Sequence, residues 1–248
     1  MRGADGKMAS RMPIPSVIVL VPTYNERENI KLLVPKIFAL GIPHLTMAVV
    51  DDNSPDGTGE AVREIGRSYP VELFTKSSKE GLGKAYVFAL KKILYRNRPP
   101  DLIIQMDADL SHDPAMIPRF LSEIESCDLV LGSRYVPGGK IENWDTVRRF
   151  VSKMGNYYAR AVLGAPIGDM TGGYKCWRPA ALASLDLDSL DSSGYNFQIE
   201  TTYKAWRRGY RIVEIPITFT ERKTGVSKFN IGIMLESFFK VLMLRFKK

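Results

Sequence analysis

The chain has 248 residues, 45% hydrophobic and 25% charged, a composition that argues against a disordered polymer and gives enough length for a sizeable core. Lysine and arginine outnumber aspartate and glutamate by 35 to 27, giving +8, which favours an anionic partner without choosing among a phosphate ligand, an anionic lipid and a nucleic acid. Only Cys127 and Cys176 occur, with no CxxC and only His44 and His112 to help them, so a disulfide framework and a zinc site are both disfavoured and a reducing cytoplasm fits.

Residues 1–15 lack an apolar h-region and read as a flexible tail, not a signal peptide. Three apolar runs follow, each opening into polar residues. Val17 to Val21 lead into Pro22-Thr23-Tyr24-Asn25-Glu26, Ala48 to Val50 into Asp51-Asp52-Asn53-Ser54, and Leu102 to Met106 into Asp107-Ala108-Asp109. Such runs predict buried parallel strands whose carboxyl ends form the ligand-binding edge of an open α/β sheet. Helical patterns at 28–38, 58–69, 83–95 and 114–125, then an apolar run at 129–133, give the alternation of a doubly wound sheet. Beyond Arg134 the spacing predicts a helix near 147–163 and strands at 211–215 and 217–220, a half expected to complete the substrate site. The last segment, 229–248, is apolar but interrupted by Glu236 and Lys240. A bilayer span needs about 20 predominantly apolar residues, so docking on the protein or in the membrane interface is the expectation.

The polar loops narrow the chemistry. A dinucleotide site would place GxGxxG after the first strand, and a P-loop GxxxxGK[ST]; Pro22-Thr23-Tyr24-Asn25-Glu26 is neither. Gly81-Leu82-Gly83-Lys84-Ala85 is a weak phosphate-like signal. Asp107 and Asp109, one residue apart after a strand, can offer two hard oxygen ligands to Mg²⁺ or Mn²⁺, whose shells are commonly completed by phosphate and water. A nucleotide site with a divalent metal follows.

Those loops, with Asp56-Gly57-Thr58, Gly81 to Tyr86, Leu110-Ser111-His112, Gly132-Ser133-Arg134-Tyr135, Glu214 to Phe219, Arg222 and Ser227-Lys228, together resemble the dolichol-phosphate (polyprenol-phosphate) mannosyltransferases, inverting glycosyltransferases of GT-A fold. The match runs in order from about Val17 to Lys228, dividing the chain into a tail 1–15, a GT-A domain 16–228 and a C-terminal segment 229–248. The resemblance implies GDP-mannose as donor, a polyprenyl (dolichyl) phosphate as acceptor, and a peripheral enzyme on the cytoplasmic face of a membrane, with a possible anchoring subunit. It places Pro22, Tyr24 and Glu26 at the nucleoside, Val50 and Asp52 at the base or ribose, and Asp107, Ala108 and Asp109 at the diphosphate and metal. Arg134, Arg222 and Lys228 would pair with phosphate, less firmly Arg148 or Arg149. Asp109, assigned to the metal, stands with those three cations as the catalytic set. Where the family often has Gln as a further metal ligand, this chain has Ser111 beside His112. Asp169, Gln198 and Glu200 are secondary candidates for the sugar.

In the helix near 147–163, Val147, Phe150, Val151, Met154, Tyr158, Ala161 and Val162 fall opposite Arg148, Arg149, Lys153 and Arg160, a basic amphipathic pattern suited to the headgroup layer. The alternatives are the same fold using UDP-glucose or another nucleotide sugar, and a catalytically silent nucleotide-binding module. A nucleic-acid binder is disfavoured, because no aromatics interleave a basic stripe.

Overall fold

The computed structural model describes residues 14–190, 194–221 and 231–246. In chain order the first half runs β1 (Val17–Thr23), α1 (Arg27–Phe38), β2 (Leu45–Asp51), α2 (Thr58–Ile65), β3 (Val71–Thr75), α3 (Leu82–Leu94), β4 (Leu102–Gln105), α4 (Ile117–Glu123) and β5 (Leu129–Ser133). The second half runs β6 (Lys140–Glu142), α5 (Thr146–Leu163), β7 (Lys175–Trp177), α6 (Pro179–Ala183), α7 (Tyr195–Arg207), β8 (Ile212–Pro216), β9 (Thr218–Thr220) and α8 (Ile231–Phe246).

Seven strands form one sheet in the order β3-β2-β1-β4-β7-β5-β8. All neighbours are parallel except β7, which runs antiparallel between β4 and β5. Successive side chains of a strand point to opposite faces, and β1 shows this directly: Val17, Val19 and Val21 join the core with α1, while Ile18 and Leu20 join the one with α3. Burial on both faces is why these strands read as unbroken apolar runs. A third cluster gathers Ala159, Leu163, Ile199, Tyr203, Val241 and Leu244 from α5, α7 and α8.

Strand order reverses at β1, with β2 on one side and β4 on the other, so the loops after β1 and β4 flank a switch point, the usual ligand crevice of such sheets. Two expectations are corrected. The helix expected over 58–69 stops at Ile65, because the chain turns at Gly66 to feed β3; a Cβ there would lie 3.0 Å from the Val71 carbonyl oxygen. The segment 114–125 is α4 flanked by 3-10 turns at Pro114–Met116 and Ile124–Ser126. In α5, Asn156, Ala159 and Leu163 are buried, while Val147, Phe150 and Met154 are exposed.

Candidate active site

The loops after β1 and β2 are stitched to each other. Asn25 and Asn53 take left-handed backbone conformations, φ 61° in each, which asparagine tolerates better than most residues. The Asn25 N–H then donates to Ser54 Oγ at 3.0 Å, the Glu26 N–H to Thr58 Oγ1 at 3.0 Å and the Arg27 N–H to Asp56 Oδ2 at 3.2 Å. Asp51 accepts the Thr23 hydroxyl at 3.0 Å and the Ser54 N–H at 3.0 Å. The first N–H groups of α1 are thereby satisfied by the neighbouring loop, the role a local cap plays elsewhere.

Of the residues expected at the nucleoside, Pro22 and Val50 are buried within their strands, and Val50 belongs to the core against α3, so its side chain does not face a ligand. Tyr24 is half-buried, with the Lys79 ammonium 3.6 Å from its ring centroid. Glu26 accepts from the Asn29 amide at 2.6 Å. Asp52 is buried and accepts from Lys76 Nζ at 3.0 Å and from the N–H groups of Glu80 and Gly81. Burial pushes its carboxyl up, but these N–H donors and the ammonium outweigh that and hold it below the ordinary value.

On the other side of the switch point, β4 ends in Asp107, Ala108 and Asp109. The Asp107 N–H donates to His112 Nδ1 at 3.0 Å, and Asp109 Oδ1 accepts the Ser111 N–H at 3.1 Å. Leu110, at φ 62°, makes the sharp turn that this requires. His112 is buried and stacked on Tyr174, ring centroids 4.9 Å apart. Because Nδ1 accepts a hydrogen bond, that nitrogen is not offered to a metal. Ala108 is also buried, so only its backbone can meet a ligand. Among the described residues no group of three His, Cys, Asp or Glu side chains converges on a cation position. Two carboxylates in this setting fit Mg²⁺ or Mn²⁺, which typically takes its remaining ligands from phosphate and water.

Arg134, expected to pair with phosphate, is committed internally. Its Nε and Nη2 make a two-pronged contact with Asp169, 2.7 Å on each prong, and Nη2 also reaches Thr171 Oγ1 at 2.7 Å. Asp169 is fully buried; burial raises its carboxyl, and Arg134 lowers it further than that. Glu214 completes the frame by accepting the N–H groups of Gly168 at 2.7 Å and Asp169 at 3.0 Å. The backbone behind Arg134 lies against Gly139, where a Cβ would come within 2.7 Å of the Arg134 carbonyl. Tyr135, Trp144 and Phe219 surround the guanidinium at 5.4–5.7 Å from their ring centroids.

Arg148 is drawn inward as well. It pairs with Glu221 and lies 4.1 Å from the Trp144 ring centroid, whereas Arg149 stays exposed. Gln198 and Glu200 are buried on α7; Glu200 pairs with Lys204 at 2.8 Å, while the Gln198 amide nitrogen, the His112 ring edge and an Asp107 carboxylate oxygen converge around Gly173, at 3.4, 3.5 and 3.8 Å from where a Cβ would stand. Lys84, in the phosphate-like glycine segment, pairs with Glu80 at 3.5 Å. Arg222 and Lys228 lie outside the described residues. Sequence reasoning missed Lys76, Lys79, Trp144 and Glu221; the position of Lys76 directly after a strand was the one available signal, and that strand, β3, was itself not anticipated.

Comparison with known proteins decides the family. A model described as glycosyl transferase family 2 matches residues 18–185. The chain belongs to glycosyl transferase family 2. Within it, this family 2 enzyme is 42% identical over 243 residues to a polyprenol monophosphomannose synthase of Mycolicibacterium smegmatis, covering 97% of this chain and 91% of that protein. It is also 42% identical over 222 residues to an undecaprenyl-phosphate mannosyltransferase of Micrococcus luteus, covering 89% and 90%. Among solved structures, a glucosyl-3-phosphoglycerate synthase from Mycobacterium tuberculosis, in complex with Mn²⁺, UDP-glucose and glycerol 3-phosphate, aligns with TM-score 0.70 at 17% identity, covering 93% of this chain and 80% of that one. A mannosyltransferase from Pyrobaculum calidifontis in complex with GDP-Man and Mn²⁺ aligns with TM-score 0.59 at 20% identity, covering 85% and 57%. The fold of the family 2 enzyme is the GT-A arrangement.

Proposed function

We propose that this chain transfers mannose from GDP-mannose to a polyprenyl phosphate with inversion, giving GDP and a polyprenyl β-mannosyl phosphate. The observation that carries the reading is the correspondence, over about nine-tenths of both proteins or more, to two relatives named for making mannosyl lipid phosphates. The GDP donor is supported by the Pyrobaculum neighbour, which holds GDP-Man with Mn²⁺. In this reading residues 16–228 are the catalytic unit, 1–15 a tail and 229–248 an interfacial segment. Pro22, Tyr24, Glu26 and Asp52 bound the nucleoside end, with Val50 meeting it through its backbone alone. Asp107, Ala108 and Asp109 face the diphosphate. Arg134, Arg222 and Lys228 serve the phosphates.

Attack by a lipid phosphate oxygen on the anomeric carbon needs no strong general base, since the acceptor is already an anion. Asp169 fixes the orientation of Arg134 before substrate arrives, so its charge stabilises phosphate without reorganising. Mg²⁺ or Mn²⁺ held by Asp107 and Asp109 would neutralise charge on the departing diphosphate.

The acceptor is a lipid, and the enzyme has a face suited to meeting one. Helices α5 and α8 lie together, the Tyr158 and Phe238 rings stacked at 4.2 Å. Val147, Phe150, Met154 and Tyr157 on α5 and Phe239, Met243 and Phe246 on α8 are exposed, among exposed Arg149, Lys153 and Arg160. Among the described residues no helix is long and apolar enough to cross a membrane. Peripheral attachment to the cytoplasmic face through this surface, with or without an anchoring subunit, completes the proposal. Product analysis tests the chemistry: the lipid phosphosugar formed from GDP-mannose should carry a β-mannosyl linkage by NMR coupling, and an α linkage contradicts single displacement.

A further inference from the structure

Asn156 stands on the buried stripe of α5, 3% exposed, beside Ala159 and Leu163 of the third core cluster. Asparagine is a poor helix former and costly to bury, so its presence there is explained by the bonds it makes. Its Nδ2 donates to the Ser152 carbonyl at 3.0 Å, one turn earlier in the helix, and to Thr171 Oγ1 at 3.1 Å; its Oδ1 accepts the Thr171 N–H at 3.2 Å. That N–H fixes which end of the amide is the oxygen. Thr171 Oγ1 in turn accepts from Arg134 Nη2 at 2.7 Å and donates to Asp169 Oδ1 at 3.2 Å. A hydroxyl has one proton and two lone pairs, and here all three are engaged: Asp169 takes the proton, Arg134 and Asn156 the lone pairs. The hydroxyl is thereby held in the orientation that meets the guanidinium. Ser152 Oγ accepts from the Tyr135 hydroxyl at 2.7 Å, so α5 also holds the residue that follows Arg134.

We infer that Asn156 is a positioning residue for transfer: it locks the hydroxyl and backbone of Thr171, and through them sets the guanidinium of Arg134 before substrate arrives. The inference rests on the assignment of Arg134 to phosphate above. Asp169 holds the guanidinium along one edge; Thr171 adds a third point, taking from Nη2 the proton that Asp169 does not. The helix whose outer side exposes Phe150 and Met154 thus secures, on its inner side, the arginine proposed to meet phosphate. A residue that only stabilised the fold would act alike whatever side chain stood at 134, whereas one acting through the Arg134 fork has nothing to act on once the fork is gone. Arg134→Lys keeps the charge and removes the fork.

The experiment is kcat/KM for labelled mannose transfer from GDP-mannose to a polyprenyl phosphate with Mn²⁺, on the full chain as wild type, Asn156→Leu, Thr171→Val and Thr171→Ser, with the first two variants repeated in the Arg134→Lys background. Asn156→Leu and Thr171→Val are each expected to lower transfer about tenfold beside the native arginine and less than about twofold beside Arg134→Lys, since residues that act as one unit are not additive. Thr171→Ser keeps the hydroxyl and is expected to stay within about threefold of wild type. Thr171→Val, close to threonine in shape, keeps the test available if Asn156→Leu does not fold. The same loss in both backgrounds would overturn the inference in favour of a structural role or a direct contact with substrate. Equal losses in Thr171→Ser and Thr171→Val would overturn it, as would undiminished transfer in Asn156→Leu and Thr171→Val. Wild-type transfer by Arg134→Lys alone would also overturn it, because charge without orientation would then suffice. A wild-type chain that transfers no mannose is a separate result, and overturns the functional reading itself.

Discussion

At the residue scale, the acidic pair and the buried cations make distinct predictions. Asp109 Oδ1 accepts the Ser111 N–H within its own turn, in the loop after β4, so its removal should spare the fold. Asp109→Ala is expected to lower Mn²⁺-dependent transfer by about a hundredfold or more, with an unchanged circular dichroism spectrum; full activity would remove this aspartate from the mechanism. Lys175 is wholly buried on β7, donating to the Gln198 carbonyl at 3.0 Å and to Thr201 Oγ1 at 3.2 Å. Burial holds its ammonium well below the ordinary 10.5, against the opposing pull of Asp169. In the window between its folded value and 10.5 the unfolded chain binds more protons at this site than the folded one, so the Lys175 contribution makes stability rise with pH there. Urea unfolding across that window should show a positive slope that is smaller in Lys175→Met; the same slope in both proteins would contradict the assignment.

At the scale of elements, the legible parts were those where burial and period agree. The strands at 17–23, 45–51, 102–105 and 129–133 are apolar on both faces and could be read as buried parallel strands, and the loops at their ends announced the site. β3 escaped notice because it is an edge strand, half-buried along most of its length. β7 escaped because three residues, one of them the buried Lys175, carry no periodic signal, and its antiparallel insertion is set by contacts with β4 and β5 far away in sequence. In the candidate site, the one-residue spacing of Asp107 and Asp109 after a strand was visible in the sequence, whereas the pairing of Arg134 with Asp169 and of Asp52 with Lys76 joins residues 35 and 24 positions apart and needed the fold. The amphipathic period of α5 was legible, and its orientation, with Asn156, Ala159 and Leu163 packed inward and Val147, Phe150 and Met154 exposed, is set by tertiary packing. That orientation yields its own prediction: Phe150→Glu with Met154→Glu should cut sedimentation with anionic liposomes several-fold while leaving GDP binding unchanged. Undiminished liposome binding would remove α5 from the interface. Arg148 is unsuitable for this test, being tied to Glu221 and Trp144.

For the whole molecule, the loops at the carboxyl ends of strands β1, β2, β4 and β5 of a seven-stranded sheet carry an acidic pair, two loops stitched to each other and an internally braced arginine, and two helices carry exposed apolar and basic residues. The net charge of +8 fits the proposed nucleoside diphosphate ligand and anionic lipid surface. The measurement that tests this account most directly is transfer of radiolabelled sugar to a polyprenyl phosphate in detergent with Mn²⁺, offering GDP-mannose and UDP-glucose in parallel reactions. Metal-dependent label in the organic phase from GDP-mannose, with little from UDP-glucose, is the predicted result; label from UDP-glucose alone would contradict the mannosyl donor, and label from neither, on vesicle-bound enzyme as well as in detergent, would contradict the transferase reading.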